Sequence, residues 1–239
     1  MGLGLVAGAE IAAAPLAHAQ SKASTFVLVH GAWHGGWCWR RVADRLTAKG
    51  HYVVAPTLSG VCERSHLPPD SINLTTQIND VVNEIKWKDL NGIVLVGHSY
   101  GGMVITGVAE QLQNRIAAIV YLDAFMPADG QSLRDLNHAP VPTEKLSPPR
   151  TAAYFHVNAA DSAWVESKLT PHPMQCFTEN LKVTGAYQAI PPLFKSPAFD
   201  DALAKCRADH SWKTETVTCG HDVMIDQPTE LTAILEKLA

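Results

Sequence analysis

The segment Gly97-His98-Ser99-Tyr100-Gly101 has the G-x-S-x-G spacing that places a serine on a sharp turn between a strand and a helix. It follows the apolar run 93–96, and a helix is predicted to begin near Gly102. The turn lifts the serine hydroxyl out of the sheet, and the N-terminus of the helix favours negative charge beside it. We therefore predict that Ser99 is a nucleophile. The alternative is a glycine-rich turn whose serine only caps the helix.

A nucleophilic hydroxyl needs a general base, and the sequence contains 11 histidines. His221 is best placed, because Cys219-Gly220-His221-Asp222 follows the last predicted strand and precedes the final helix. In sheets of this type the histidine comes last in the order serine, acid, histidine. His98 lies inside the serine turn and is expected to point away from the hydroxyl. His221 is the predicted base, and an exposed turn histidine is the alternative.

The base in turn needs a carboxylate that orients its ring. The usual position, a loop within about residues 181–197, contains no Asp or Glu. Asp123 follows the apolar run 116–122, and polar residues at the carboxyl ends of parallel strands reach the crevice where active sites form. We predict Asp123 as the acid. Asp200 and Asp201 remain alternatives, as does a role for Asp123 in capping the next segment.

Backbone N–H groups are expected to stabilise the charge that develops on a substrate oxygen. One belongs to Tyr100, directly after the predicted nucleophile. The other is expected in the glycine-rich segment 30–37, where small Gly31 and Ala32 let the backbone approach a substrate; Ala32 N–H is the prediction, and an ordinary turn is the alternative. The residues predicted to line an apolar pocket, or else to form a small core of the cap, are Gly31, Trp33, Trp164, Met174 and Phe177.

Short apolar runs alternate with amphipathic segments along the chain, which predicts a doubly wound, mostly parallel α/β sheet. The predicted strands are 26–29, 52–55, 93–96, 116–122 and 214–218. The main predicted helices are 37–49, 73–86 and the segment from Pro228 onward. Prolines interrupt the alternation between about 127 and 197, so we predict a helical cap inserted there.

Residues 1–19 are mostly apolar and end in Ala17-His18-Ala19, a pattern that signal peptidases accept. They predict a signal peptide and an exported chain, periplasmic or secreted, in which one domain spans 20–239. Glu10 and the absence of Lys or Arg before Lys22 argue against this, and the alternative is an N-terminal arm on a cytoplasmic protein. The stretch is too short and too interrupted to span a membrane.

Composition and cysteine spacing argue against several other classes of protein. The chain has 239 residues, of which 46 % are hydrophobic, enough for one domain with a sizeable core. The net charge is −4 and no basic stripe is present, which argues against nucleic acid as a partner. The cysteine spacings match no zinc pattern, so no metal site is predicted. The expected partner is a small-molecule ester, and the oligomeric state stays open.

The chain resembles the plant methyl-ester esterase and hydroxynitrile lyase group of α/β-hydrolases, with its bacterial esterase relatives. The matching segments are 26–37, Gly97-His98-Ser99-Tyr100-Gly101-Gly102, Tyr121-Leu122-Asp123-Ala124-Phe125-Met126-Pro127 and Gly220-His221-Asp222. The resemblance implies an α/β-hydrolase fold with a helical cap and ester hydrolysis without a cofactor. It also implies that Ser99 and His221 form the catalytic pair and that the Ala32 and Tyr100 amides form the oxyanion hole.

Departures from this group separate its activities. The lyases carry Thr where this chain has Gly31, and Lys where it has Asp222, which favours an esterase. Plant members carry their acid after a later strand that is shortened or missing here, and they lack an Asp that matches Asp123, which favours Asp123. We predict a serine carboxylesterase that hydrolyses a small or medium apolar ester through an acyl-enzyme on Ser99. A lyase-type reaction in the same pocket, or a ligand-binding, receptor-like protein with a vestigial triad, is the alternative.

Overall fold

The computed structural model describes residues 23–189, 192–195, 207–208 and 212–239. The predicted signal peptide, 1–19, lies outside the described residues, so export stays a prediction. Asp200 and Asp201, the alternative acids, lie outside them as well.

The central sheet is parallel throughout. Its strands are β1 (Thr25–Val29), β2 (Tyr52–Val54), β3 (Ile93–His98), β4 (Ile116–Leu122), β7 (Pro192–Lys195) and β8 (Lys213–Glu215). They lie in the order β2-β1-β3-β4-β7-β8, with every neighbouring pair parallel. The predicted α/β fold is thus confirmed. A separate antiparallel ribbon consists of β5 (Leu146–Ser147) and β6 (His172–Pro173).

Helices cover both faces of the sheet. They are α1 (Arg40–Ala48), α2 (Leu74–Trp87), α3 (Gly101–Leu112), α4 (Leu133–Leu136), α5 (Ser162–Glu166), α6 (Gln175–Thr178), α7 (Val223–Asp226) and α8 (Pro228–Glu236). Short 3-10 turns span Gly36–Trp39, Cys62–Arg64, Pro69–Ser71, Gln113–Arg115 and Ala186–Ala189. The Asn73 side chain accepts a hydrogen bond from the Thr76 N–H and fixes the start of α2, as its sequence predicts.

Two hydrophobic cores lie on opposite faces of the sheet, because successive side chains of a strand point in opposite directions. Val27 of β1 packs in the core that contains α2 and α3. Phe26 and Leu28, its neighbours along the strand, pack in the core that contains α1 and α8. The carboxyl ends of β1, β3 and β4 therefore stand fixed at one edge of the sheet.

The cap insertion is shorter than predicted. Strand β7 lies inside the predicted range 127–197 and pairs with β4, with Leu122 opposite Lys195. The insertion therefore ends before Pro192. Two consecutive prolines, Pro191 and Pro192, make the sequence of β7 unlike that of a typical strand. Pro192 is tolerated because it is the first residue of the strand.

Within the part of the chain that the structure describes, no helix combines the length and the apolar composition needed to cross a membrane.

Candidate active site

Ser99 occupies a left-handed turn directly after β3, with φ of +53°. Its carbonyl accepts a hydrogen bond of 3.1 Å from the Phe125 N–H, which holds the turn against the segment after β4. A Cβ on Gly97 would lie 2.7 Å from the Gly101 carbonyl oxygen, and one on Gly101 would lie 2.8 Å from the His30 carbonyl oxygen. Both glycines are therefore required by backbone that passes too close for a side chain, which explains their spacing around the serine.

Asp123 follows β4 just as Ser99 follows the adjacent strand β3. His98 and Leu122, the last residues of these strands, are partners in the sheet register. Asp123 is fully buried and also has a left-handed backbone, with φ of +46°. The Ser99 N–H donates to the Leu122 carbonyl at 3.3 Å. The sheet therefore fixes the backbone positions of the serine and the aspartate relative to each other.

His221 lies in the loop after β8, and its Nδ1 contacts Asp123 Oδ2. A carboxylate can only accept this hydrogen bond, so Nδ1 carries a proton, and in the neutral ring Nε2 is the nitrogen that has the lone pair. The ring stacks on Phe155, with centroids 5.9 Å apart and planes at 17°. The His221 N–H also donates to the Phe155 carbonyl at 2.8 Å. The structure thus brings together the residues that chain order predicted as base and acid.

His98 is hydrogen-bonded to the loop that carries His221. Its Nε2–H donates to the His221 carbonyl at 3.0 Å, and the two rings lie 4.5 Å apart. Burial, reinforced by the nearby His221, lowers the pKa of His98 to about 3, so the ring is neutral. Its side chain is directed at the His221 backbone, a contact that no sequence pattern indicates.

A second buried histidine–aspartate pair lies beside the first. His34 Nε2 lies 3.1 Å from Asp222 Oδ2, and His34 Nδ1 lies 2.8 Å from the Ala32 carbonyl oxygen. Burial opposes a charge on His34, but the Asp222 carboxylate outweighs it and raises the pKa of His34. Burial likewise opposes the charge on Asp222, and His34 outweighs it, so the pKa of Asp222 is lowered. The pair connects the loop after β1 to the loop that carries His221.

Ser99 and His221 line one cavity of about 740 Å³, a size usual for small-molecule sites. Its lining comprises Ala32, Trp33, Ser99, Tyr100, Phe125, Leu133, Asn137, Tyr154, Phe155, His156, Cys219, Gly220 and His221. Ala32 and Tyr100, the predicted oxyanion residues, both belong to this lining. Neither of their backbone N–H groups has a hydrogen-bond acceptor among the described residues.

Of the predicted pocket residues, only Trp33 lies in this lining. The structure places the others elsewhere: Gly31 packs behind Ser99, where a Cβ would lie 2.9 Å from the Ser99 Cβ. Trp164 packs on Trp37, with centroids 5.1 Å apart, so it fastens the cap to the body of the protein.

Met174 and Phe177 are also placed in the packing of the cap. Met174 packs against the core of α2 and α3, and Phe177 is buried in that core with its ring 5.3 Å from the ring of Tyr100. Met174 and Phe177 thus form internal packing, which was the alternative for them. Asn137 and Tyr154, which line the cavity from the cap, lie in irregular segments that carry no sequence pattern.

Among the residues that the structure describes, no cluster of three or more His, Cys, Asp or Glu side chains is placed to hold a metal ion.

Residues 26–234 match the family described as "Alpha/beta hydrolase family". The chain belongs to the alpha/beta hydrolase family. This membership agrees with the parallel sheet, the serine turn and the position of His221, and it confirms the resemblance found from the sequence motifs.

The relatives of this alpha/beta hydrolase include named esterases. It is 38% identical to the "Carbendazim hydrolyzing esterase" of Nocardioides sp. (strain SG-4G), over 90% of this chain and 98% of that one. It is 30% identical to "Methylesterase 1" of Arabidopsis thaliana, over 72% of this chain and 63% of the relative. The prediction of a hydrolase that acts on ester bonds is thus confirmed at the level of the enzyme class.

Solved structures share the fold. An extracellular alpha/beta-hydrolase from a Paenibacillus species, described as homologous to tobacco salicylic acid binding protein 2, superposes with a TM-score of 0.77. The match covers 90% of this chain and 99% of that chain at 24% identity, so it supports the fold alone.

Proposed function

We propose that this alpha/beta hydrolase is a serine carboxylesterase with Ser99 as nucleophile, His221 as general base and Asp123 as the acid that orients His221. The observation that carries the proposal is the contact of His221 Nδ1 with buried Asp123, in a cavity that Ser99 and His221 both line. With Nδ1 protonated, His221 Nε2 is the nitrogen that accepts a proton from a hydroxyl.

In the first half of the proposed reaction, Ser99 Oγ attacks the ester carbonyl carbon while its proton passes to His221 Nε2. The carbonyl oxygen becomes an oxyanion, which the N–H groups of Ala32 and Tyr100 stabilise. Asp123 supports the positive charge on His221 without taking the proton. When the tetrahedral intermediate collapses, the bond to the alcohol oxygen breaks, and His221 returns the proton to the departing alcohol.

In the second half, a water molecule loses a proton to His221 and attacks the acyl-enzyme on Ser99. The second tetrahedral intermediate releases the carboxylic acid, and the proton on His221 returns to Ser99 Oγ. An ester and a water are thereby converted into an acid and an alcohol with no cofactor in the balance.

The cavity supports a small or medium apolar ester as the substrate. Aromatic side chains line much of it, including Trp33, Phe125, Tyr154 and Phe155, and Asn137 adds a polar group. Flat apolar rings pack well against such walls. The names of the relatives direct attention to methyl esters and to carbendazim, so we propose a methyl ester or carbamate ester of a flat ring system as the first substrate to test.

The test combines substitution with active-site labelling. Ser99→Ala should lower kcat by roughly 10³-fold or more at unchanged fold, because the nucleophile and its base act as one unit. A fluorophosphonate should add one label to the wild type, on Ser99, and none to Ser99→Ala. A panel of esters with varied acyl and alcohol groups then defines the substrate through kcat/KM.

The reaction products distinguish an esterase from a lyase-type enzyme and from a receptor-like protein. Acid and alcohol in equal amounts support the esterase. Cleavage of a cyanohydrin to an aldehyde without ester hydrolysis would instead support the lyase-type reaction. Tight ligand binding with no burst of alcohol from a chromogenic ester would support a receptor-like protein.

A further inference from the structure

A buried histidine of the cap is hydrogen-bonded to the loop that follows β1. His172, on β6, is fully buried, and its Nδ1 accepts a hydrogen bond of 3.2 Å from the Trp33 N–H. Trp33 has φ of +65°, which is unfavourable for a bulky residue. A residue 139 positions away along the chain therefore holds the strained conformation of this loop.

The hydrogen bonds of His172 fix its tautomer. Burial, with the nearby His30, lowers the pKa of His172 well below its usual range, so the ring is neutral. Because Nδ1 accepts from Trp33, Nε2 must carry the proton and donate it. Both polar atoms of the Gln77 amide lie near this nitrogen, Oε1 at 3.3 Å and Nε2 at 3.1 Å, and only Oε1 can accept. His172 therefore donates to Gln77.

Gln77 extends the connection to the serine turn. Its Oε1 also accepts a hydrogen bond of 2.7 Å from the Tyr100 hydroxyl, and its Nε2 donates to the Ser59 carbonyl at 2.8 Å. Gln77 and Tyr100 are both fully buried. A continuous chain of hydrogen bonds thus runs from the Trp33 N–H through His172 and Gln77 to Tyr100.

The two ends of this chain are the two segments that supply the proposed oxyanion amides. Trp33 directly follows Ala32, and Tyr100 directly follows Ser99. We propose that His172 is a positioning residue for the oxyanion hole, which through Gln77 fixes the Ala32–Trp33 segment relative to Tyr100. This inference rests on the proposed function, in which the Ala32 and Tyr100 amides stabilise the oxyanion.

The body of the protein holds the same loop from the other side. His30 Nδ1–H donates to the Gly31 carbonyl at 2.8 Å, and His34 Nδ1–H donates to the Ala32 carbonyl at 2.8 Å. The Gly31 carbonyl belongs to the same peptide unit as the Ala32 N–H, and a carbonyl that accepts a hydrogen bond polarises its own amide. Of these three histidines, only His172 comes from the cap. The cap also holds Trp33 through the Thr170 N–H, which donates to the Trp33 carbonyl at 3.2 Å, and through the Ser147 carbonyl, which accepts from the Trp33 Nε1–H at 3.2 Å. His172 is the cap residue that accepts from the Trp33 N–H.

A pair of substitutions separates the positioning role from a packing role. In His172→Asn, the side-chain oxygen takes a place similar to that of Nδ1 and keeps an acceptor for the Trp33 N–H. In His172→Gln, the side-chain nitrogen takes a place similar to that of Nε2, so the donor to Gln77 is kept and the acceptor for Trp33 is lost. The Gln variant should lose kcat by roughly 10- to 100-fold with KM changed little, because displacement of a catalytic group by about 1 Å costs up to about 10²-fold. The Asn variant loses only the donor to Gln77, so its kcat should fall by no more than roughly three- to tenfold, the value of one buried hydrogen bond.

A transition-state analogue provides a second measurement. A trifluoromethyl ketone that carries the acyl group of the substrate forms a tetrahedral oxyanion on the nucleophilic serine. Its inhibition constant should rise in parallel with the loss of kcat in His172→Gln, while that of the product acid stays the same. The exposed His66 gives a matched control, since His66→Gln should leave both constants unchanged.

The outcomes distinguish the inference from the proposed function. Equal losses in the Asn and Gln variants, or a loss confined to KM, would overturn the positioning role even when Ser99 is labelled as expected. Activity that survives Ser99→Ala would overturn the proposed function itself. If His172→Gln does not fold, Tyr100→Phe removes only the hydroxyl that donates to Gln77. It should lower kcat by roughly three- to tenfold, the value of one buried hydrogen bond, and an unchanged kcat would count against the chain of hydrogen bonds.

Discussion

His34 and Asp222 form a buried ion pair, with His34 Nε2 3.1 Å from Asp222 Oδ2 and at most 1% of either side chain exposed. His34 donates from both ring nitrogens, to Asp222 and to the Ala32 carbonyl, and is therefore charged. Asp222 directly follows His221 in the sequence. The pair thus joins the loop of the proposed general base to the loop of the proposed oxyanion amide, and it leads to the first prediction.

Asp222→Asn should lower the free energy of unfolding by about 3 kcal/mol at pH 6, because it leaves His34 buried without its counter-charge. The raised pKa of His34 gives stability that is full below its usual 6.5 and is lost as pH rises through the raised value. The lowered pKa of Asp222 gives stability that is full above its usual 3.8 and is lost as pH falls through the lowered value. The difference in the free energy of unfolding between Asp222→Asn and the wild type should therefore be largest between pH 3.8 and pH 6.5, and it should shrink in alkaline solution.

Urea unfolding across pH measures this effect. Asp44→Asn is the matched control, because Asp44 is 71% exposed and its ion pair with Arg40 is worth less than about 1 kcal/mol. The neighbouring His98 and His221 also face Asp222, so His98→Phe in the same assay should show whether the pH dependence belongs to His34. Equal destabilisation by Asp222→Asn and Asp44→Asn would refute the ion pair as a source of stability.

Asp123→Asn should lower kcat by about 10⁴-fold, since an amide cannot hold His221 in the tautomer with Nδ1–H and a free Nε2. The contact of Asp123 with His221 Nδ1 motivates this value. Asp200→Asn and Asp201→Asn should each lose less than about tenfold, the scale expected for substitutions that leave the contact of Asp123 with His221 in place. Steady-state kinetics on one chromogenic ester tests all three variants. A larger loss of kcat in Asp200→Asn or Asp201→Asn would show that this residue, and not Asp123, is the acid that orients His221.

Gly31→Ala should lower kcat strongly while the protein remains folded. The added Cβ would lie 2.9 Å from the Ser99 Cβ and 3.0 Å from His98 Nδ1, so the serine turn has to shift. Displacement by about 1 Å corresponds to a loss of about 10²-fold. KM, kcat and fluorophosphonate labelling rate measure the effect.

Gly130→Ala is the contrasting variant. Its Cβ meets nothing within 4 Å, but φ of +76° strains any residue other than glycine. It should reduce stability by about 1 kcal/mol and leave kcat unchanged. If Gly31→Ala and Gly130→Ala lower kcat to the same extent, the close packing of Gly31 on Ser99 is not the cause of the loss of activity.

Much of this protein was predictable from local patterns. The apolar runs 26–29, 93–96 and 116–122 form most of β1, β3 and β4, and such runs are typical of strands buried on both faces of a sheet. The glycines around Ser99 are dictated by backbone contacts within a few residues of the turn or by the adjacent strand. Asn73 and Pro228 mark the starts of their helices because capping and the fixed φ of proline act over a single turn.

The cap was the least predictable region. Its elements, such as α4, β5 and α5, are two to five residues long, too short for a hydrophobic period to be recognised. Trp164, Met174 and Phe177 are apolar residues of suitable type for a pocket, but packing within the cap and against the body of the protein uses them instead.

The fold class, the serine turn and the chain order of the proposed acid and base can be derived from the sequence, because they depend on residue type, spacing and short-range sterics. The contact partners of each side chain depend on the tertiary structure. His221 meets Asp123 across 98 residues, Trp33 meets His172 across 139, and His34 meets Asp222 across 188. Such contacts depend on the order of strands in the sheet and on the paths of loops, which no local pattern encodes. The burial that lowers the pKa of His172, and the Asp222 carboxylate that raises the pKa of His34, are in place only when those distant segments come together.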